Sequence, residues 1–253
     1  MTPPVATETV FEWQRAGGAA SVCVAVSLYN YARFLPECLD SVAAQTHAPL
    51  ELIVVDDASQ RDDSQEVARA WLTANRERFS RVLLLGHKRN QGLAQARNTA
   101  FAAARAPHVF VLDADNSLYP RAIERLHRAI SGHDFAAAYS QLEFFGARQC
   151  LGTADVWDRA RFQHGNTIDA MALVSKHAWQ RVGGYTHLDG GWEDFDFWCK
   201  FIDHGLTAAF VPQILCRYRV HPSSMLRTEH LDHSAQLAVL MVLRHPWLQL
   251  GQG

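Results

Sequence analysis

Between Ala20 and Asp115 the chain alternates four short apolar runs with helical stretches of about a dozen residues, an order that few architectures accept. Ala20–Ser27 (ASVCVAVS), Glu51–Asp57 (ELIVVDD), Arg81–Gly86 (RVLLLG) and Val109–Asp115 (VFVLDAD) read as buried strands. Phe34–Ala44, with Pro36 near its start, Asp62–Asn75 and the alanine-rich Gly92–Ala104 carry helical spacing. Strands that are apolar on both faces need cover on both, so the alternation predicts an α/β protein with a mostly parallel central sheet flanked by helices. Ligands of such sheets bind beyond the carboxyl ends of the strands. Three polar or acidic loops converge there: Ser27–Asn30, Asp56–Ser59 and Asp113–Asn116.

The second half is less regular. A helix is expected from Pro120 to Ser131, strands over Phe135–Phe144 and Ile168–Ser175, and a polar loop over Cys150–Asn166 that covers the site. Gly183-Gly184 marks a turn, and Asp189–Gly205 leads into a further helical stretch. His230–Arg244 has helical periodicity, with Leu237, Val239, Leu240, Val242 and Leu243 available for packing. Residues 1–18 are expected to be a flexible leader and 251–253 a frayed end, leaving 19–253 as one domain.

Bulk properties exclude several classes. A 48% hydrophobic content fills a substantial core, and a formal charge of -2 offers no extended basic surface for nucleic acid or an acidic membrane. Five cysteines without CxxC spacing suit a reducing compartment and disfavour a zinc site. No run reaches the roughly 18–20 apolar residues that span a bilayer, so a cytoplasmic protein is expected, with peripheral membrane contact left open. The P-loop pattern Gly-x-x-x-x-Gly-Lys is absent, and neither Gly183-Gly184 nor Gly190-Gly191 follows an early strand.

Acid at the mouth of a buried strand points to a cation held there. Side chains alternate along a strand, so Asp113 and Asp115 leave on the same side and can share one divalent ion or its waters, the alternative being two solvated carboxylates opening a turn. Asp56 and Asp57 end a strand in the same way, where a carboxylate can accept from a nucleobase N–H or a ribose hydroxyl or can cap its own turn. Gly92 allows close backbone approach, and Arg97 and Asn98 can face the same crevice as Asp113. In Gly190–Trp198 (GGWEDFDFW) acids are embedded among aromatics, which is costly unless they serve a partner, a helix terminus or a metal. Helix capping explains Asp196 well and Asp194 poorly; a carboxylate of raised pKa beside a hydroxyl is what a general base requires. His221, in Arg219–Met225, is a candidate further metal ligand or an ordinary structural histidine.

Taken together, Val24–Tyr31 (VAVSLYNY), the Leu39–Thr46 helix end, Ile53–Ser59 (IVVDDAS), Asn90–Asn98 (NQGLAQARN), Val111–Asp115, Gly183–Tyr185 and Trp192–Asp196 (WEDFD) resemble, in the same order, the inverting nucleotide-sugar glycosyltransferases of family 2. The resemblance implies a GT-A fold with a Rossmann-like sheet, a nucleotide-binding half over 19–118, an acceptor-binding and catalytic half over 119–229, and a C-terminal helix and tail over 230–253. It implies that Ser27, Tyr29, Asn30, Asp56, Asp57, Gly92, Arg97, Asn98 and Asp113 bind the nucleotide. Asp115 and His221 would hold Mn²⁺ or Mg²⁺, Asp194 would be the catalytic base, and Glu193 and Trp192 would meet the acceptor. Trp157, Arg161, His164 and Asn166 of the covering loop are further acceptor contacts by position.

The expected reaction is transfer from a nucleotide-sugar, a UDP-sugar before a GDP- or dTDP-sugar, to a hydroxyl of a glycan, protein or small molecule, in bacterial surface glycan synthesis. The QxxRW motif of processive synthases is absent. A nucleotidyltransferase would need an early triphosphate loop that residues 21–33 lack, and a binding module without turnover is the alternative from a different class.

Overall fold

A computed structural model describes residues 6–221 and 230–251. The strands are β1 (Thr7–Gln14), β2 (Val22–Leu28), β3 (Leu50–Asp56), β4 (Arg81–His87), β5 (His108–Asp113), β6 (Ser117–Leu118), β7 (Ala137–Gly146), β8 (Cys150–Leu151), β9 (Ala172–Ser175) and β10 (Ala208–Val220). The helices are α1 (Leu35–Ala43), α2 (Ser64–Asn75), α3 (Leu93–Ala103), α4 (Ala122–Ile130), α5 (Arg159–Phe162), α6 (Lys176–Arg181), α7 (Glu193–Asp203) and α8 (His230–Arg244). All ten strands join one sheet in the order β1-β4-β3-β2-β5-β9-β7-β10-β6, with β8 paired to β7.

The four runs that the sequence marks as buried strands form its parallel centre, β4-β3-β2-β5. Every residue of β2, β3 and β4 is buried, and the period of two divides each strand between two cores. Cys23 and Ala25 of β2 face a layer that includes α3, α6 and α7. Val22, Val24, Val26 and Leu28 face the layer of α1, α2 and α4. The sheet is thus covered on both faces, as its apolar strands require. Register aligns the strand ends: Ser27 lies opposite Asp113 and Leu28 opposite Asp56, so the loops that follow open on one side of the molecule.

Residues 7–14, expected within a flexible leader, instead form the edge strand β1, antiparallel to β4. Its run of Thr, Val, Phe and Trp suits a pleated edge, with Val10, Phe11 and Trp13 packing on the core and Glu12 pairing with Arg81 at 3.0 Å. The covering loop is also less irregular than expected, since it contains β8 and α5. In α8, Leu237 and Met241 are buried one turn apart, whereas Val239, Leu240 and Leu243 point outward. Residues 222–225, part of the histidine segment singled out in the sequence, lie outside the described residues.

Candidate active site

A cavity of about 1370 Å³ opens at the carboxyl ends of β2, β3 and β5 and runs beneath the segment 164–170 to the start of α7. Its size exceeds that of most small-molecule sites and leaves room for two substrates. Ser27, Tyr29, Asn30, Asp57, Gly92, Asp113 and Asp115 line it on the side of the strands and Trp192, Glu193 and Asp194 on the side of α7, with Arg97 bonded to both Asp113 and Glu193.

The two acids that end β3 separate in role. Asp57 faces the cavity, and its carboxylate accepts from the backbone N–H groups of Gln91 and Gly92, each at 2.8 Å, and from His87 Nδ1 at 2.6 Å. Asp56 does not line the cavity. It accepts from Ser59 Oγ at 2.5 Å and Gln65 Nε2 at 3.2 Å, and so closes its own turn, contrary to the expected nucleotide contact. Asn30 adopts a positive φ of 56° and accepts from the N–H groups of Gln60 and Arg61, so its side chain shapes the loop beside the cavity. Gly92 is required where it stands: φ is +84°, and a Cβ there would lie 2.7 Å from the His187 ring.

Adjacent residues on α3 also part company. Arg97 is buried, donates to both oxygens of Asp113 at 3.2 and 3.0 Å, and donates to Glu193 Oε1 at 3.0 Å. Burial alone would weaken its charge, but Asp113 and Glu193 outweigh that effect and raise its pKa. Asn98 turns away from the cavity. It accepts from Trp179 Nε1 and the Tyr185 N–H and donates to the Tyr185 carbonyl, which corrects its expected nucleotide role to a clamp on the Gly183–Tyr185 turn.

The DxD carboxylates have different protein partners. β5 ends at Asp113, which is bound to Arg97, and Asp115 lies beyond the strand with its Oδ2 3.0 Å from His221 Nε2. The late histidine reaches this point because β10 pairs with β6 through Arg217↔Ser117 and Arg219 then grips the turn, donating from its N–H to Asn116 Oδ1 and from Nε to the Asp115 carbonyl. Tyr31 and Phe34 pack on the imidazole at centroid separations of 5.6 and 4.9 Å. Asp115 and His221 are each 7% exposed and converge a carboxylate oxygen and an imidazole nitrogen, a donor set that suits Mn²⁺ or Mg²⁺. Among the described residues no three His, Cys, Asp or Glu are grouped to hold a metal, and Asp115 and His221 are the described pair that would hold an ion here.

At the far end Gly190 and Gly191, both at positive φ, break the chain, and Trp192 (φ 66°) starts α7. Glu193 is committed to Arg97, which favours a structural contact over direct engagement of an acceptor. Asp194, half-buried in the first turn, accepts from the Phe195 N–H at 2.8 Å and from Asn166 Nδ2 at 3.0 Å. Burial, reinforced by the charges of Glu193 and Asp169, pushes its pKa up to about 7. Asp169 also lines the cavity, accepts from the Met171 N–H at 2.8 Å, and is pushed up to about 6, first by burial and then by Asp113. No sequence motif flags Asp169; only its place before a strand in the covering segment could have. Of the expected acceptor contacts in that segment, His164 and Asn166 line the cavity. Trp157 packs against Phe162 and Trp198, and Arg161 pairs with Asp155 at 2.7 Å.

The model of the family "Glycosyl transferase family 2" matches residues 23–149, half of the chain. The chain belongs to glycosyl transferase family 2. This family 2 chain is 35% identical over 231 residues to the uncharacterized glycosyltransferase YibD of Escherichia coli (strain K12), a match covering 81% of this chain and 62% of YibD. Matches to three further curated glycosyltransferases, from Nostoc, Streptococcus pneumoniae and Bacillus subtilis, cover 29–36% of their lengths, so the chain spans only part of these relatives. TarS 1-349 of S. aureus, in its complex with UDP-GlcNAc, superposes with a TM-score of 0.75 at 15% identity, covering 88% of this chain and 66% of that one. The mannosyltransferase PcManGT of Pyrobaculum calidifontis, in complex with GDP-Man and Mn²⁺, gives 0.64 at 20% identity over 85% and 64% of the two chains. The shared architecture is the GT-A fold that the sequence motifs imply.

Proposed function

We propose that this family 2 glycosyltransferase moves a sugar from a UDP-sugar to an acceptor hydroxyl with inversion at the anomeric carbon, and that Asp194 is the general base. The observation that carries this reading is a carboxylate in the first turn of α7, held by Asn166 and the Phe195 N–H and with its pKa raised by burial, in a cavity that the carboxyl ends of three parallel strands also line. A carboxylate whose pKa is raised is a stronger base, and the hydroxyl proton passes to it as the oxygen attacks the anomeric carbon from the face opposite the nucleoside diphosphate. One displacement inverts the centre. A covalent nucleophile is not required, and Cys23, Cys38, Cys199 and Cys216 are buried with their thiols pushed up, primarily by burial.

Asp57, with Ser27, Tyr29 and Asn30 around it, is assigned to the nucleoside, and Asp113 to the ribose side, where Arg97 fixes its orientation. Asp169, between the two ends, is placed to accept from a donor-sugar hydroxyl. Asp115 and His221 would hold Mn²⁺ or Mg²⁺, which supplies positive charge toward the departing diphosphate when bound. The UDP-GlcNAc in the TarS complex supports a UDP-sugar. The GDP-Man and Mn²⁺ in the PcManGT complex support a divalent ion and make a GDP-sugar the second choice. An acceptor in bacterial surface glycan synthesis and a cytoplasmic site of action are part of the proposal and rest on the family resemblance.

Titration of the protein with UDP, GDP and dTDP, with and without Mn²⁺, tests the donor end; UDP is expected to bind and to do so more tightly with the metal. Asp194→Asn is expected to keep that binding and to slow UDP release from UDP-GlcNAc by ~10²-fold or more. Equal loss of binding and turnover in a folded Asp194 variant would remove it from the role of base.

A further inference from the structure

The side-chain amide of Asn166 is fixed from both ends. Its Oδ1 accepts from the backbone N–H of Ile168 at 3.2 Å, and its Nδ2 donates to Asp194 Oδ2 at 3.0 Å. The first bond settles the orientation, because a flipped amide would set NH₂ against N–H and oxygen against carboxylate. Ile168 is itself buried, which anchors the segment. The other carboxylate oxygen, Oδ1, takes the Phe195 N–H at 2.8 Å. Each oxygen of Asp194 therefore has one donor, supplied by α7 on one side and by the covering segment on the other, and each keeps a lone pair for a partner in the cavity.

We propose that Asn166 is a positioning residue for the transfer reaction: it holds Asp194 Oδ2 so that the remaining lone pair faces the acceptor hydroxyl, and it ties the covering segment to the first turn of α7. The inference rests on the assignment of Asp194 as base. Asn166 is exposed and lines the cavity, so its amide could otherwise be satisfied by water. The charged groups facing Asp194 are Glu193 beside it, Asp169 from the covering segment and Arg97 from α3. Against two acids, the Asn166 N–H is a neutral donor that favours the ionised carboxylate.

The direction of the effect separates this role from that of a simple cover. Loss of a donor raises the Asp194 pKa; loss of a cover admits water and lowers it. The protein labelled with ¹³C at aspartate Cγ reports this directly, with the Asp194 resonance assigned by its absence in Asp194→Asn. Asn166→Leu keeps the side-chain volume and removes the donor, so its titration midpoint decides; it is expected to rise by ~0.5–1 unit above that of the wild type. An unchanged or lower midpoint overturns the proposal. Should the leucine variant fail to fold, Asn166→Met, which also removes the donor and keeps the cover, is read in the same way. UDP binding by the wild-type protein is measured separately, so failure of the glycosyltransferase reading and failure of the Asn166 assignment give different results.

Discussion

Asn98 follows Arg97 in the chain, yet the two side chains leave α3 in different directions and serve different ends. Arg97 joins the cavity, whereas Asn98 makes three hydrogen bonds to Trp179 and Tyr185, and a Cβ on Gly184 would come within 2.6 Å of its oxygen. Asn98→Ala strands buried polar groups and is expected to cost about 2 kcal/mol in denaturant unfolding while UDP affinity stays at the wild-type value. A fall in UDP affinity without a fall in stability would restore its nucleotide role. Motif position alone could not separate Asn98 from Arg97, or Asp56 from Asp57, because neighbours one residue apart share a motif but not a direction. Asp113, Asp115, Asp194 and His221 were legible as acids and a late histidine in a recognisable order. Their actual partners were not, since Arg97 meets Glu193 across 96 positions and His221 meets Asp115 across 106.

At the scale of elements, α7 is held by a buried ionic cluster. Asp196, fully buried, accepts from Arg244 Nε at 2.6 Å and His245 Nε2 at 3.1 Å and pairs with Lys200 at 2.9 Å. Burial would raise its pKa, but these partners hold it well below the usual carboxylate range. Asp196→Asn leaves the cations uncompensated and is expected to cost about 3 kcal/mol. The measurement is urea unfolding at pH 7; a loss within error of zero would mean that the C-terminal elements do not depend on this cluster. The central strands were legible because each is an unbroken apolar run buried on both faces. β1 was not, because an edge strand shows water one side and carries Thr, Glu and Gln among its apolar residues. β10 was also missed: its register shifts twice, between Val211 and Ile214 and between Ile214 and Cys216, which interrupts the period-two signal.

For the molecule as a whole, the raised carboxyls tie stability to pH. Asp194, near 7 when folded, keeps its proton above the point where an unfolded aspartate loses one, so its effect is most favourable below pH ~4 and is lost as pH rises to 7. Asp169 acts with the same sign up to about 6. His47, His108 and His127, lowered first by burial, oppose them, favouring the fold as pH rises through the ordinary histidine range. The difference in stability between the wild type and Asp194→Asn isolates the aspartate. From thermal unfolding at pH 5 and 8, that difference is expected to shift against the wild type at the higher pH; a pH-independent difference would mean that Asp194 ionises normally.

Arg97 stands between the two ends of the cleft, with one arm on the strand that ends at Asp113 and the other on the helix that begins at Glu193. It behaves as a rivet through two plates, giving the donor end and the base a common point of reference. Drawing it out would loosen grip and chemistry in the same stroke, so affinity and turnover would fall together. Asp57 and Asp194, neither of them bonded to Arg97, report on the two sides of the cleft one at a time.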